Sequence, residues 1–545
     1  MKKFILLCTF CWGMLVPGAR ACTSFLAGRN ATIDGSTFIT YAADSHTLYG
    51  ALKFIPAARH PKNSTMEIRE WDTNKLLGHI PQVEYTYKVV GNMNEHQLSI
   101  TESTWGGRPE LVDTTGIIDY GSLMYIALQR AKTAREAITV MTDLVSEYGY
   151  YSSGESFSIA DPEEVWIMEM IGKGPQNQGA VWVAVRIPDD CIAAHANQSR
   201  IHKFPLDDKE NCLYSPDVIS FAREQGYFNG LNKDFSFADA YAPADFGALR
   251  GCEARVWSFY NRFNSSMGKY LSYLNGKSKE YLPLYIKPDK KLSVQDMKDA
   301  MRDHFEGTPF DMTQDVGAGP FKCPYRFRPM TFKVDSVEYT NERAVATQQT
   351  AFTPVAQMRS WLPNAIGGVL WFGVDDTNTC VYVPLYACLN EVPECYSELN
   401  GSMYDLSWTS AFWIHNWVAN MAYSRYDQMI EDIRPVQKDI ETTFNVQQPV
   451  IEKVANDLYR NDPVAAIRFL NAYSVAQAQQ TTVQWKKLGE FLLVKYLDGN
   501  RKKEKGGHFL ENGYGLPADP DFPGYSEEYY RAVAKDAGDR LKVAF

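Results

Sequence analysis

The chain has 545 residues, of which 45% are hydrophobic, 13% aromatic and 22% charged. This supply of apolar side chains excludes a disordered chain. The formal net charge of -10 gives no electrostatic footprint for a polyphosphate, so we do not expect nucleic acid as a partner.

The first 21 residues have the pattern of a secretory signal. Lys2 and Lys3 precede an apolar run over residues 4–16, and residues 19–21 read Ala-Arg-Ala, an A-x-A cleavage site. The run is too short to span a bilayer comfortably, and later stretches do not reach the roughly 18 apolar residues of a membrane helix. We expect cleavage before Cys22, export to the periplasm or the extracellular space, and no integral membrane segment.

Cleavage at this point would make Cys22 the first residue of the mature chain. Its α-amino group would then have an unperturbed pKa of about 7.7 to 8.0, so it could take the thiol proton and return it to a leaving amine. The alternatives are lipidation as a membrane anchor, a structural thiol, or an accident of the cleavage site. Ala19 and Arg20 weaken lipidation, because small and branched apolar residues are expected there.

The next residues predict a hairpin that would fix the start of the mature chain. Residues 22–28 and 37–41 are strand-like, and Asp34-Gly35-Ser36 between them is a turn signal. A frayed terminus could not position a nucleophile, so a start held in a sheet favours the catalytic interpretation.

Further along the chain, the apolar periodicity alternates between helix and strand. The predicted elements are a helix over residues 121–146, strands over 164–171 and 180–187, a helix over 291–306, and strand character over 372–386. Such alternation is typical of sheets with helices packed on their outer faces.

Beyond a Pro- and Cys-containing loop, the pattern becomes helical. The helical segments are residues 407–445, 449–459, 463–478 and 482–497. We therefore predict a catalytic domain over residues 22–388 and a mainly helical region over 389–545 packed on it. The alternative is that these helices also complete the catalytic core.

The cysteines after the signal are sparse for so long a chain. They are Cys22, Cys191, Cys212, Cys252, Cys323, Cys380, Cys388 and Cys395. Disulfides are permitted in an exported protein, and Cys388 and Cys395 are close enough in sequence for a local bridge. Pairing cannot be deduced from sequence, and we expect most of these residues to be buried thiols.

Motifs for other chemistry are missing from the sequence. There is no HExxH, paired CxxC, Walker loop or helix-opening GxGxxG. His195 and His202 stand seven apart, a weak spacing for a metal site, and are better explained as a strand-end and a surface histidine. We expect neither a cofactor nor a metal.

The motifs resemble a known family over most of residues 22–440. They begin with Cys22-Thr23-Ser24-Phe25, Asp34-Gly35-Ser36 and Asp44, and continue through Gly91-Asn92-Met93-Asn94-Glu95-His96, Arg130-Ala131-Lys132-Thr133-Ala134-Arg135, His195-Ala196-Asn197, Thr347-Gln348-Gln349-Thr350 and Trp371-Phe372-Gly373-Val374-Asp375-Asp376. This order is similar to that of the C69 dipeptidases, which are N-terminal nucleophile hydrolases.

The resemblance implies an α+β fold: a four-layer αββα sandwich with the nucleophile at the end of a central strand, here followed by a helical C-terminal extension. It also implies hydrolysis of dipeptides. Related acylases of the same superfamily cut penicillin V or bile-salt amides, so the fold does not choose the substrate.

The resemblance also assigns oxyanion-hole positions. Asn94 and Asn197 match them, Asn197 through its side chain and Asn94 through its backbone N–H. A donor of this kind can be worth about 3 kcal/mol. The alternatives for Asn197 are a turn asparagine or a glycosylation acceptor, since Asn197-Gln198-Ser199 has the N-x-S pattern.

Charged positions around Cys22 complete the implied site. Asp44 matches an acidic residue that contacts the nucleophile and its amine, and Arg255 a cation that would lower the thiol pKa, the alternative for Arg255 being a surface salt bridge. Tyr41 stands where many relatives have an arginine, so the usual partner of Asp44 is missing. Tyr41 could instead donate a hydrogen bond or shape a pocket for the free amine of a dipeptide.

The sequence therefore predicts an exported cysteine dipeptidase that acts on small peptides without a cofactor. An acylase of the same superfamily and a lipid-anchored binding protein are the alternatives. Side-chain preference and assembly into a homo-oligomer stay open.

Overall fold

The computed structural model describes residues 22–543. The predicted signal segment, residues 1–21, lies outside the described residues. In the described part of the chain, the helices are not long and apolar enough to cross a membrane.

The strands are numbered in chain order. They are β1 Ser24–Ala27, β2 Thr37–Thr40, β3 Ala43–Asp44, β4 Phe54–Ile55, β5 Ala58–Arg59, β6 Thr65–Arg69, β7 Leu76–Pro81, β8 Tyr85–Thr86, β9 Val89–Val90, β10 Met93–Asn94, β11 Ser99–Trp105, β12 Gly154–Ala160, β13 Val165–Gly172, β14 Ala180–Arg186, β15 Ile192–His195, β16 Cys212–Tyr214, β17 Tyr285–Ile286, β18 Thr331–Val334, β19 Val337–Thr340, β20 Thr350–Met358, β21 Val369–Val374, β22 Val383–Tyr386, β23 Glu504–Lys505 and β24 His508–Phe509.

The α-helices are also numbered in chain order. They are α1 Tyr120–Arg130, α2 Ala134–Tyr148, α3 Val218–Glu224, α4 Phe237–Tyr241, α5 Phe246–Ala248, α6 Ala254–Phe263, α7 Leu271–Leu274, α8 Val294–Ala300, α9 Asn364–Gly367, α10 Ala411–Tyr423, α11 Tyr426–Tyr459, α12 Pro463–Lys495 and α13 Glu527–Ala537.

Two large antiparallel sheets contain most of the strands. The first sheet has the order β17-β15-β1-β2-β20-β21-β22, with β3 paired to β20, and the second has the order β16-β14-β13-β12-β11-β10-β9-β4. β1 and β2 are antiparallel neighbours, with Leu26 opposite Ile39. The predicted hairpin at the start of the mature chain is thus present, and it lies inside the first sheet rather than at its edge.

The two sheets face each other through β1 and β2 on one side and β11 and β12 on the other. α1 and α2 contact the second sheet and share a buried apolar cluster with it. α6, α8, α10 and α12 contact strands of the first sheet. These contacts establish a mixed α+β fold in which apolar strands are covered by helices, as the alternating periodicity indicated.

The helix predicted over residues 121–146 is two helices. α1 ends where Ala131 is extended, and the side chain of Thr133 then caps α2 by accepting from the backbone N–H of Glu136. A threonine at this position accepts a hydrogen bond from a free backbone N–H in the first turn of α2. This favours the start of a new helix over the continuation of α1. The apolar periodicity alone did not reveal the break.

Two C-terminal helices are longer than predicted, whereas the segment predicted over residues 407–445 is divided between α10 and α11. α11 continues through Pro435 and Pro449, and α12 is unbroken between residues 478 and 482. Each proline removes a backbone donor, but α11 is held to the rest of the fold by buried ion pairs, including Glu441 with Arg302 at 2.6 Å. One buried cluster includes residues of α10–α12 and of the first sheet, so no break in the core marks residue 388.

The eight cysteines within residues 22–543 are free thiols. Cys252 and Cys323 are partly exposed, and the other six are buried. A local bridge between Cys388 and Cys395 is not formed in the structure.

Candidate functional site

Cys22 lies directly before β1, between β15 and β2 in the first sheet. Thr23 accepts a backbone hydrogen bond from Ala42 at 2.9 Å, so the chain is paired from its second described residue onward. The thiol-bearing residue is 5% exposed. The hairpin thus holds the predicted nucleophile in place, as catalysis by a chain terminus requires.

The sulfur of Cys22 is in contact with a phenol and a carboxyl group. Its Sγ lies 3.3 Å from Oε1 of Glu102 and 3.7 Å from the hydroxyl of Tyr41. Tyr41 donates its own hydroxyl to the same oxygen of Glu102. Tyr41 therefore supplies a hydrogen bond where relatives have an arginine, one of the two roles that the sequence left open.

The thiol pKa is raised well above its ordinary value. Burial is the main cause, followed by the charges of Glu102 and Asp44, whereas a backbone hydrogen bond from Asp44 lowers it. The lowering of this pKa expected from Arg255 stays a prediction, and its guanidinium donates to the carbonyl oxygen of Cys22. A thiol held protonated in this way needs a base before it can attack.

Glu102 and Glu155 form a buried carboxyl pair beside the sulfur. Glu102 is on β11 and Glu155 on β12, where it lies opposite Thr104. Burial raises the pKa of both groups, and the charge of Glu102 raises that of Glu155 further. Ionisation of Glu102 therefore disfavours the ionisation of Glu155.

Sequence reasoning missed this pair. The available signal was an acidic residue inside each of two strand-like apolar runs, at residues 99–105 and 154–160. Burying a charged side chain in a strand costs folding free energy unless it has a partner, so such a residue indicates a candidate functional position.

Arg255 connects Cys22 with Asn197. One terminal nitrogen donates to the carbonyl oxygen of Cys22 at 2.7 Å and to Oγ1 of Thr23 at 2.7 Å. The other donates to Oδ1 of Asn197 at 2.9 Å. Arg255 is 1% exposed, which excludes the surface salt bridge considered for it. Burial lowers its pKa to about 10, so it stays charged at neutral pH.

Asn197 follows strand β15 in a left-handed conformation, with φ of 57°. An asparagine tolerates this conformation better than most residues. Its side-chain nitrogen donates to the carbonyl oxygen of Thr104 at 2.6 Å, and its oxygen accepts from Arg255. The side-chain amide is therefore fixed in orientation next to the residues that hold Cys22.

Asn94 is not brought to this site. Its backbone N–H donates to the carbonyl oxygen of Leu98 at 2.9 Å, and its side-chain nitrogen donates to Leu128 and Ala131, each at 2.8 Å. Its Oδ1 accepts from the backbone of His96 and Leu98. The expectation of an oxyanion donor at Asn94 is thus corrected, since a turn and the end of α1 occupy its hydrogen-bonding groups.

Asp44 has a cationic partner after all. Its carboxylate is in an ion pair with Arg343 and accepts from Oγ1 of Thr350 at 2.6 Å. Burial raises the pKa of Asp44, and Arg343 opposes this rise. Arg343, about 300 residues further along the chain, thus provides the cation that is missing at position 41. A local motif could not reveal a partner so distant in sequence.

His195 is held between two serines. Ser103 contacts its Nδ1 at 2.6 Å and Ser158 its Nε2 at 2.7 Å. Burial lowers its pKa to about 3, so the ring is neutral. His202, in contrast, is half-buried, and its Nδ1 lies 3.4 Å from Oδ1 of Asp239. Within residues 22–543, no group of three or more His, Cys, Asp and Glu side chains is placed to hold a metal ion.

A cavity is connected to Tyr41 through the ring of Phe352, which lines the cavity and contacts Tyr41. It measures about 240 Å³ and is lined by Leu48, Tyr49, Ala51, Lys53, Trp71, Gly91, Tyr125, Phe352, Phe372, Glu398, Gly401 and Ser402. Phe352 packs edge-on against Tyr41, with ring centroids 5.8 Å apart. The lining is mainly apolar and could accept a small side chain.

The sequence profile of Peptidase family C69 matches residues 21–439. The chain belongs to this family. The resemblance found in the motifs is confirmed, and the matched part includes every side chain described around Cys22.

Relatives in the wider comparison carry the same kind of name. A probable dipeptidase of Latilactobacillus sakei is 27% identical over 425 residues, which cover 74% of this chain and 82% of the relative. A probable dipeptidase of Salmonella dublin is 27% identical over 408 residues, or 71% and 85% of the two chains. A probable dipeptidase B of Streptococcus pyogenes serotype M1 is 23% identical over 512 residues, or 88% and 94%.

Proposed function

We propose that this member of peptidase family C69 is an exported cysteine dipeptidase with Cys22 as its N-terminal nucleophile. The observation that carries the proposal is the position of Cys22, which lies two residues before the central strand β1 and is joined through Arg255 to the amide of Asn197. The names of the relatives support dipeptides as the substrates. The contacts between helices and sheets support a four-layer αββα sandwich of the N-terminal nucleophile type.

The base in this proposal is the α-amine of Cys22, exposed by removal of residues 1–21. The buried thiol is protonated, so a base must take its proton during attack. His195 is unsuited to that task, because its pKa is about 3 and serines occupy both ring nitrogens. An α-amine has an ordinary pKa of about 7.7 to 8.0, which suits a base near neutral pH.

The reaction then has two halves. The sulfur attacks the peptide carbonyl, a C–S bond forms, and the thiol proton moves to the α-amine while the oxyanion is stabilised by the amide of Asn197. The C–N bond breaks as the amine returns the proton to the leaving amino acid. Water then attacks the thioester with the same amine as base, which releases the first amino acid and restores the thiol.

The test is turnover of a dipeptide panel by the purified mature protein and by Cys22→Ala and Cys22→Ser. We expect both variants to fold normally and to lose most activity; unchanged turnover would exclude the mechanism. Penicillin V and a bile-salt amide belong in the same panel, because faster hydrolysis of these would indicate an acylase. Intact mass separates these enzymes from a lipid-anchored binding protein, in which the amine and thiol of Cys22 would be blocked.

A further inference from the structure

The carboxyl pair beside the sulfur has no role in the steps above. Glu102 is 1% exposed and Glu155 is fully buried. The groups that donate to Glu102 are neutral: the hydroxyls of Tyr41 and Thr104 and the thiol of Cys22. The groups that shift the pKa of Glu155 through hydrogen bonds are Thr104 and Glu102, and neither is a cation. A buried carboxylate is stable beside a cation and costly without one.

A bound dipeptide would bring a cation to this position. Its α-nitrogen shares a Cα with the scissile carbonyl carbon, which places the two atoms about 2.5 Å apart. A sulfur poised for attack lies about 3 to 3.5 Å from that carbon. Oε1 of Glu102 is 3.3 Å from Sγ of Cys22, so the α-ammonium can reach this oxygen while the carbonyl faces the sulfur.

We propose that Glu102 binds the free α-ammonium of the first residue of the dipeptide. This inference rests on the proposed dipeptidase function and names the feature of the substrate that the site selects. An acyl amide without an α-amine brings no cation and leaves Glu102 unpaired. Discrimination against such a substrate is strong when the unpaired group is buried.

A competing role for Glu102 is to bind the α-ammonium of Cys22 itself. The two roles differ in a measurable way. A group that binds the substrate amine affects substrates that carry this amine. A group that acts on the Cys22 amine affects every substrate by the same factor, because each reaction uses that base.

The experiment compares Ala-Ala with propionyl-alanine, which differs by the missing α-amine, using the mature wild-type enzyme and Glu102→Gln. Because Glu102 also contacts the thiol, both substrates can share a common loss, but we expect the variant to lose about 100-fold more in kcat/KM for Ala-Ala than for propionyl-alanine. Where turnover of propionyl-alanine is too slow, its inhibition constant against Ala-Ala gives the same comparison. Glu102→Asp keeps the charge with a shorter reach and should show a smaller difference between the two substrates than Glu102→Gln.

Circular dichroism and thermal unfolding establish that the variants fold, and Glu163→Gln on the surface is the matched control for the same chemical change. Equal losses on the two substrates, or an unchanged preference for Ala-Ala, would overturn the inference while leaving the proposed function intact. A wild-type enzyme that hydrolyses no dipeptide would overturn both.

Discussion

The guanidinium of Arg255 donates to the carbonyl oxygen of Cys22 at 2.7 Å, so a residue 233 positions along the chain fixes the backbone of the candidate nucleophile. The same side chain orients the amide of Asn197. The candidate nucleophile and the candidate oxyanion donor are therefore positioned by one rigid, planar group. The effect on the thiol pKa that the sequence led us to expect from this arginine stays a prediction.

Replacing Arg255 by lysine tests this positioning role. Lysine keeps the charge but cannot bridge two acceptors with a planar fork. We expect kcat for a dipeptide to fall by about 100-fold, since small displacements at a reacting centre have effects of this size. KM should change by less than about threefold. Steady-state kinetics provide the measurement, Arg223→Lys on α3 is the control, and a wild-type kcat for Arg255→Lys would contradict the role.

The two asparagines that sequence motifs paired should respond differently to substitution. Asn197→Gly removes the amide but tolerates the positive φ, and we expect kcat to fall by about 100-fold or more, with a smaller loss of stability than Asn94→Ala because Arg255 keeps its hydrogen bond to Ala196.

Asn94→Ala should show the opposite pattern. It leaves several buried backbone groups unpaired, so we expect the free energy of unfolding to fall by about 3 kcal/mol, while kcat at low temperature stays near wild type. Urea unfolding and steady-state kinetics of both variants measure the contrast. Loss of kcat in folded Asn94→Ala would contradict a purely structural role for this side chain.

Asp375 should make stability depend on pH. Burial raises its pKa to about 8, and the charge of Asp376 contributes to the rise. The unfolded chain releases this proton near its ordinary pKa of about 3.9, so the folded state binds more protons between these values. The stability that Asp375 contributes is present below about pH 4 and is lost as the pH rises through about 8.

Asp375→Asn removes this dependence. Its Oδ1 accepts from Asn416 at 2.8 Å, a hydrogen bond that an asparagine oxygen also accepts. We expect the variant to be more stable than wild type at pH 8, with a smaller difference at pH 5. Urea unfolding at the two pH values is the measurement. A difference that grows as the pH falls would contradict the assignment.

The ion pair of Asp44 with Arg343 should be essential for folding around Cys22. Arg343→Met leaves a carboxylate buried without its cation, and we expect a loss of about 3 to 5 kcal/mol in the free energy of unfolding. Asp44→Asn combined with Arg343→Met should lose less than the two single variants together. A double-mutant cycle in urea measures this coupling, and strictly additive effects would show that the pair does not interact.

Local patterns revealed the part of the site that is local in sequence. The turn at Asp34-Gly35-Ser36 and the flanking apolar runs predicted the hairpin that holds Cys22, and motif resemblance selected Arg255 and Asn197. In each case neighbouring residues carry the signal.

The parts that the sequence concealed depend on distant contacts. Arg343 replaces a missing cation from the far end of the catalytic region, and Glu102 and Glu155 meet across neighbouring strands. Asn94 matched a motif, yet its hydrogen bonds are committed to a turn and a helix end. Motif matching cannot distinguish a structural asparagine from a catalytic one when both are buried.

N-terminal sequencing of the purified, active enzyme tests the central claim most directly. The account predicts that the sequence begins at Cys22 with an unmodified α-amine, and that acetylating this amine abolishes dipeptide hydrolysis. Active protein that begins at another residue, or that carries a blocked Cys22, would contradict the account.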